Sequence, residues 1–205
     1  MENSPLEGFY RSERTLTAAQ RKKLKKKQSQ YEQEAEREKE RLYETNEGNV
    51  ELEAIEARIG PHGLKIHHIP GDGNCLFKSI EHQLRTRASA DSSLKSYDHQ
   101  ALRKMVVQYL RMHRADFEHF VYGVYEDDCD DMFAFYCDKM ESDGEWGGEL
   151  ELRLFSDILN CRIHVHTADS ESIVYGPEGA TLVLHVSFHK HAYSLGCHYN
   201  SLVTA

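Results

Sequence analysis

The chain has 205 residues, enough for one good-sized domain with its own core and some extra length, but a tight fit for two. It is 40% hydrophobic and 29% charged with a mean hydropathy of -0.66, which is polar for a packed globule, so part of it is expected to lie outside the core. A net charge of -9 argues against general nucleic-acid binding by the whole chain, and no apolar run of about 18 residues is present to span a bilayer.

The opening MENSPLEGFYRSERT lacks the apolar stretch of a secretory signal. Cys75, Cys129, Cys137, Cys161 and Cys197 make an odd count with no CxxC pair, which fits reduced thiols better than a disulfide framework. A soluble, cytoplasmic protein with no membrane partner is therefore expected, in which one cysteine is free to be chemical.

Charge divides the chain. Residues 1–60 hold 12 of the 25 Lys+Arg and 13 of the 34 Asp+Glu, so nearly all the net acidity belongs to residues 61–205. RKKLKKK (21–27) precedes YEQEAEREKERLYE (31–44), where Glu34/Arg37, Glu36/Lys39 and Glu38/Arg41 pair at i,i+3 as on a solvated helix face. Apolar residues are too sparse there for a heptad seam. Residues 1–60 thus read as a charged helical arm. Near its end Leu52, Ile55 and Ile59 form a short amphipathic stripe suited to docking on a folded neighbour, and Gly60-Pro61 ends it. The compact domain is placed at 61–205.

LKIHHI (64–69) reads as a short strand leading into GDGNCLF. Leu76, Phe77, Ile80 and Leu84 then fall at helical spacing, which predicts an amphipathic helix over CLFKSIEHQLRTR with Cys75 in its first turn. RASADSSLKS (87–96) is a polar loop. Leu102, Val106, Leu110, Phe117 and Val121 mark one or two helices, and DDMFAFYCDKM and Glu149–Leu159 predict two more. The last third changes period: CRIHVHT (161–167) and TLVLHVS (181–187) alternate, with HAYSL and HYNSLV as further short strands. Strands around a helical middle predict an α/β or α+β layer fold.

A thiol attacks as thiolate, and an ordinary cysteine near pKa ~8.5 is mostly protonated at neutral pH. A helix N-terminus is worth about 0.3–1 kcal/mol where exposed, less than one pKa unit, so a histidine partner is needed as well. Gly71 and Gly73 permit a tight turn whose N–H groups, from Asp72 and Gly73 through Asn74 to Cys75, can converge on an oxyanion. The same turn is also good capping chemistry with no catalysis implied, since Asp and Asn accept free N–H groups at a helix start. The partner that decides between these lies in GCHYNSL (196–202). On a strand, His198 and Asn200 share a face while Tyr199 and Ser201 take the other, and an Asn carbonyl beside an imidazole can fix its tautomer.

GDGNCLF with its following helix, EWGGELELRLFSDILNCRIHVH (145–166) and the late HYNSL together resemble the ovarian-tumour (OTU) family of cysteine deubiquitinases, over roughly residues 61–205. The resemblance implies a papain-like fold with a small central sheet flanked by helices. It also implies hydrolysis of the bond after ubiquitin's C-terminal glycine, with ubiquitin and ubiquitinated proteins as partners and no cofactor. It makes Cys75 the nucleophile, His198 the general base and acid, Asn200 the orienting residue, and Asp72 the motif aspartate of the active-site loop, acting through its backbone or its carboxylate. Trp146 and Gly147 are expected to be structural beside a narrow channel for the Gly-Gly tail, and the acidity of 61–205 would complement ubiquitin's basic face. The arm resembles the charged extension of an OTU subgroup associated with ribosomes; its basic run suits rRNA phosphates or an acidic protein, and equally a solvated helix or a localisation signal.

Two rival readings stand beside this one. His164 and His166 share a strand face, the spacing of His189 and His191 allows the same, and Cys197 adjoins His198, which makes zinc conceivable, although neither a finger-spaced Cys pair nor HExxH is present. The other rival is a catalytically silent ubiquitin- or ribosome-binding adaptor, which would have no need of Cys, His and Asn together.

Overall fold

A computed structural model describes Gln30 and residues 46–87, 97–124, 129–193 and 196–205. The basic run 21–27 and the pairs Glu34/Arg37, Glu36/Lys39 and Glu38/Arg41 of the expected arm lie outside the described residues, as do residues 88–96 of the expected polar loop.

The apolar stripe after the glycine turn folds as predicted into helix α2, Cys75–Arg87, with Leu76, Phe77, Ile80 and Leu84 all buried. Two helices carry the next stripe: α3, His99–Met112, and α4, Arg114–Val121. Leu102, Val106 and Leu110 of α3 and Phe117 and Val121 of α4 point into the same core. The Asp98 carboxylate caps α3 by accepting from Ala101 N–H (2.8 Å), and Asp131 does the same from Ala134 N–H (3.1 Å) for α5, Met132–Glu141. In α6, Glu149–Ile158, the carboxylate of Glu151 reaches back to the N–H of Gly148 (2.7 Å) and also accepts from the hydroxyl of Tyr136 (2.5 Å), which accounts for a glutamate buried in the core.

Five strands form one mixed sheet in the order β1-β5-β4-β2-β3: β1 Leu64–His67, β2 Cys161–His166, β3 Ile173–Tyr175, β4 Leu182–Tyr193 and β5 Gly196–Thr204. Only β2 and β4 run parallel; the other pairs are antiparallel. On β2 the side chains of Cys161, Ile163 and Val165 are buried in strict alternation, and Leu184 and Val186 of β4 join them in the main core. Gln83 of α2 bridges the end where β4 and β5 part: its amide donates to Ser201 Oγ and the Leu202 carbonyl, and its oxygen accepts from His185 N–H. The helix that opens at Cys75 is thereby tied to the strand of His198.

Two elements differ from the sequence reading. HAYSL is not a strand of its own, because HAY is the end of β4, which runs on through a bulge between His189 and Tyr193. The bulge leaves the N–H groups of Lys190 and His191 without ladder partners, and the buried carboxylate of Glu51 accepts both, at 2.7 and 2.8 Å. The strand continues because a side chain supplies what the neighbouring strand does not. The edge strand β3 was not anticipated; with Ile173 and Val174 exposed it has no buried alternation to read.

Glu51 belongs to helix α1, Asn46–Ile59. Its stripe docks as the spacing suggested: Leu52, Ile55 and Ile59 are buried, and the two isoleucines pack with Leu202 of β5 and Leu64 and Ile66 of β1. No helix among the described residues is long and apolar enough to cross a membrane.

Candidate active site

The turn between β1 and α2 is shaped at Gly73, whose φ of +78° is left-handed. A Cβ there would fall 2.0 Å from the Gly144 carbonyl oxygen, so two backbones pass where only glycine fits. Asp72 tightens the turn: its carboxylate accepts from Asn74 N–H at 3.1 Å and pairs with Lys78 one turn into α2. This corrects one expectation. Of the four N–H groups expected to face an oxyanion, that of Asn74 is instead held by the Asp72 carboxylate inside the turn.

The capping reading fails at Asn74 for a related reason. Its backbone carbonyl begins the helix by accepting from Lys78 N–H (2.8 Å), while its buried side-chain oxygen turns away to accept from Arg103 (2.8 Å) and Gly144 N–H (3.0 Å). Arg103, only 1% exposed, also donates to the carbonyls of Met140 (2.8 Å) and Glu145 (2.7 Å) and lies 4.0 Å over the Phe77 ring. Nothing in the sequence singled Arg103 out, because a charge beside Leu102 on an amphipathic helix reads as solvent-facing. Gly144 had only the Asp-Gly turn dipeptide to mark it.

Cys75 opens α2, half-buried, with its sulfur against the backbone N–H of Tyr199 on β5. That contact sets the sulfur beside the strand that carries His198. Burial pushes the Cys75 thiol up, and the charge of Asp72 adds to this; the N–H groups of Tyr199, Leu76 and Cys75 itself pull the other way.

The period of β5 places His198 and Asn200 together as expected. Both are buried, with His198 Nε2 3.2 Å from Asn200 Oδ1. Tyr199 packs on Phe188 on the core side, and Ser201 meets His82 and Gln83 of α2. Asn200 Oδ1 also accepts from Ile69 N–H at 2.7 Å, so an oxygen must occupy that position. An oxygen can only accept, so His198 presents N–H at Nε2 and leaves Nδ1 as the basic nitrogen. Burial takes the His198 ring down to about 4, against the opposing pull of Asn200 and the Ile69 carbonyl. Thiol and imidazole are both held neutral at rest.

Gly147 packs flush on α2, where a Cβ would lie 2.9 Å from Leu76 and Phe77. Trp146, 54% exposed, lays its ring on Gly196, where a Cβ would come within 2.6 Å. The indole therefore sits at the entry to β5, two residues before His198.

The histidines weighed for zinc do not assemble. His189 is buried beside Asn200, whereas His191 is exposed and faces Glu47; Cys197 is exposed and His198 is not. His166 Nε2 lies 3.2 Å from His185 Nδ1, and the His164 and His185 rings stack at 4.9 Å. Among the described residues no group of three or more His, Cys, Asp or Glu is placed to hold a metal ion.

The family model described as OTU-like cysteine protease matches residues 70–199. "Deubiquitinase OTUD6B" of Xenopus tropicalis is 35% identical over 156 residues, covering 75% of this chain and 51% of that protein. "OTU domain-containing protein 2" of Saccharomyces cerevisiae is 33% identical over 153 residues, covering 75% and 50%. The chain spans about half the length of the curated relatives it matches. The solved OTU domain of OTUD1 shares the fold, with a TM-score of 0.55 at 24% identity over 75% of this chain and 95% of that one. With its site residues on the expected elements and a family match across most of its length, the chain belongs to the OTU-like cysteine protease family.

Proposed function

We propose that this protein is a cysteine deubiquitinase that hydrolyses the isopeptide bond after the C-terminal glycine of ubiquitin. The observation that carries the reading is the convergence of the Cys75 sulfur, at the first turn of α2, on the backbone of β5 beside the hydrogen-bonded pair His198 and Asn200. Family membership and the activity named for the Xenopus tropicalis relative support it.

The reaction is acyl transfer. Because thiol and imidazole are both neutral at rest, the thiol proton passes to His198 as sulfur attacks the glycine carbonyl. The oxyanion is taken by backbone N–H groups of Cys75 and the Asp72-Gly73 turn. The imidazolium, steadied by the Asn200 carbonyl, gives its proton to the departing lysine amine. Water deprotonated by His198 then cleaves the thioester and releases the ubiquitin carboxylate. The Asp72 carboxylate shapes the turn and holds Lys78, without a direct hydrogen bond to either reacting side chain among the described contacts.

Ubiquitin bearing a C-terminal electrophile should form a covalent adduct with the wild-type chain, and Cys75→Ala should abolish it. No adduct, or an adduct at another cysteine, would refute the enzyme and favour the silent adaptor. A docking role for the arm on rRNA or an acidic protein is supported by the run 21–27; loss of co-sedimentation with ribosomes on deleting residues 1–45 is its test.

A further inference from the structure

The antiparallel register of β4 and β5 sets Ser187 opposite Asn200 and His189 opposite His198, so these four side chains share one face of the sheet. All four are buried. Asn200 Nδ2 lies 3.2 Å from His189 Nε2, and Ser187 Oγ lies 2.9 Å from that same nitrogen.

The chemistry of each atom follows from its neighbours. Ile69 N–H and His198 Nε2–H both need an acceptor, which assigns the oxygen of Asn200 to their side and its NH₂ group to the side of His189. The NH₂ group can only donate. The hydrogen bond from Asn200 therefore requires a bare lone pair at His189 Nε2, with the ring proton on Nδ1, and the Ser187 hydroxyl packs beside the same atom. Were Nε2 protonated, two N–H groups would face each other in a buried site, and the amide would turn its oxygen away from His198. Burial, with His198 and His68 adding to it, takes His189 down to about 3, so the ring is neutral at any working pH.

We propose that His189 is a positioning residue for the hydrolysis: by accepting from Asn200 Nδ2–H it holds the Asn200 carbonyl on His198 Nε2–H, so that Nδ1 is the nitrogen presented to the Cys75 thiol. The inference rests on the cysteine-hydrolase reading above and extends it by one residue. The orienting unit is a row of four, Ser187, His189, Asn200 and His198, built entirely from neighbouring positions of one strand pair. His189 does not touch substrate and acts through Asn200.

Two substitutions and one spectrum test it. His189→Gln keeps an acceptor oxygen near the position of Nε2; His189→Leu fills the space without one. Hydrogen-bond partners that orient metal-bound imidazoles cost about 10- to 100-fold when lost, and a loss of the same order is expected for an imidazole oriented here. The expected result is that His189→Leu lowers kcat on a ubiquitin conjugate by about that factor with KM unchanged, and that His189→Gln recovers most of it. Equal loss in both, or wild-type kcat in His189→Leu, overturns the proposal. Long-range ¹H–¹⁵N spectra of the wild-type chain provide a readout that needs neither turnover nor a folded variant: His189 should be the Nδ1–H tautomer and His198 the Nε2–H tautomer. A protonated His189 Nε2 overturns the inference outright. Failure of the wild type to react with the ubiquitin electrophile would instead reject the enzyme reading, and the tautomers would still decide the hydrogen-bond row.

Discussion

Arg103 and Asn74 form a buried hydrogen bond of 2.8 Å that joins helix α3 to the turn in front of Cys75. The same guanidinium anchors the carbonyls of Met140 and Glu145, so one side chain ties the glycine turn to the 140–145 segment. Removing it strands several buried acceptors, each worth about 1–3 kcal/mol when left unsatisfied. Arg103→Met should lower the free energy of unfolding by about 2–5 kcal/mol in urea. Labelling by a ubiquitin electrophile, which needs the turn, should slow more than alkylation by iodoacetamide, which needs only the thiolate. If both reactions slow equally, the guanidinium stabilises the fold without shaping the turn.

Gly73 meets Gly144 backbone to backbone, and alanine at 73 would carry two separate penalties. The left-handed φ costs a non-glycine residue about 1–3 kcal/mol, and the added carbon would overlap an oxygen that is part of the main chain and cannot swing aside. The turn must move, and the backbone donors move with it. Gly73→Ala should fold with a lowered Tm and turn over about 10²- to 10³-fold more slowly, the loss expected for a misplaced oxyanion donor. Near wild-type kcat would show that the turn N–H groups take no part.

Acid should unfold this protein early. His198 and His189, both buried, sit at about 4 and about 3, below the ordinary histidine value of 6.5. Between those values and 6.5 the unfolded chain binds more protons than the folded one. The stabilisation is therefore whole above about pH 6.5 and is lost as pH falls, by up to about 1.4 kcal/mol per pH unit for each ring. His82, His166 and His185, each at about 4, act in the same direction. Urea midpoints should stay level from pH 7.5 to about 6.5 and fall from there to pH 5, and His189→Gln should flatten that fall by about one proton. A pH-independent midpoint over that range would contradict the burial of these rings.

The parts of the site that were legible in the sequence are those set by one element's own period. Cys75 could be placed because the glycine turn and the stripe of Leu76, Phe77, Ile80 and Leu84 announce a helix start, and His198 with Asn200 because alternate residues of a strand share a face. What the sequence concealed depends on register between elements. His189 reaches Asn200 only because Ser187 pairs with Asn200 across the ladder, and spacing within one strand carries no such information. Arg103 was hidden by its type, since a buried arginine is intelligible only once Asn74, Met140 and Glu145 surround it. The continuation of β4 through its bulge depended on Glu51, in a helix more than a hundred residues earlier.

That same helix yields the last prediction. Leu52, Ile55 and Ile59 of α1 are buried, and complete burial of such side chains is worth about 1.5–3 kcal/mol each. Together they approach the whole stability of a typical domain, about 5–15 kcal/mol. Glu51 adds the two hydrogen bonds that close the β4 bulge next to His189. A chain beginning at residue 61 would expose Leu202, Leu64 and Ile66 and leave the N–H groups of Lys190 and His191 unpaired. It should melt far below a chain beginning at residue 46, or fail to unfold cooperatively. Glu51→Ala in the longer chain isolates the polar part: it should cost about 1–3 kcal/mol and speed hydrogen exchange at Lys190 and His191, leaving α2 protected. Equal melting of the two truncated chains would mean that α1 covers the sheet without holding it.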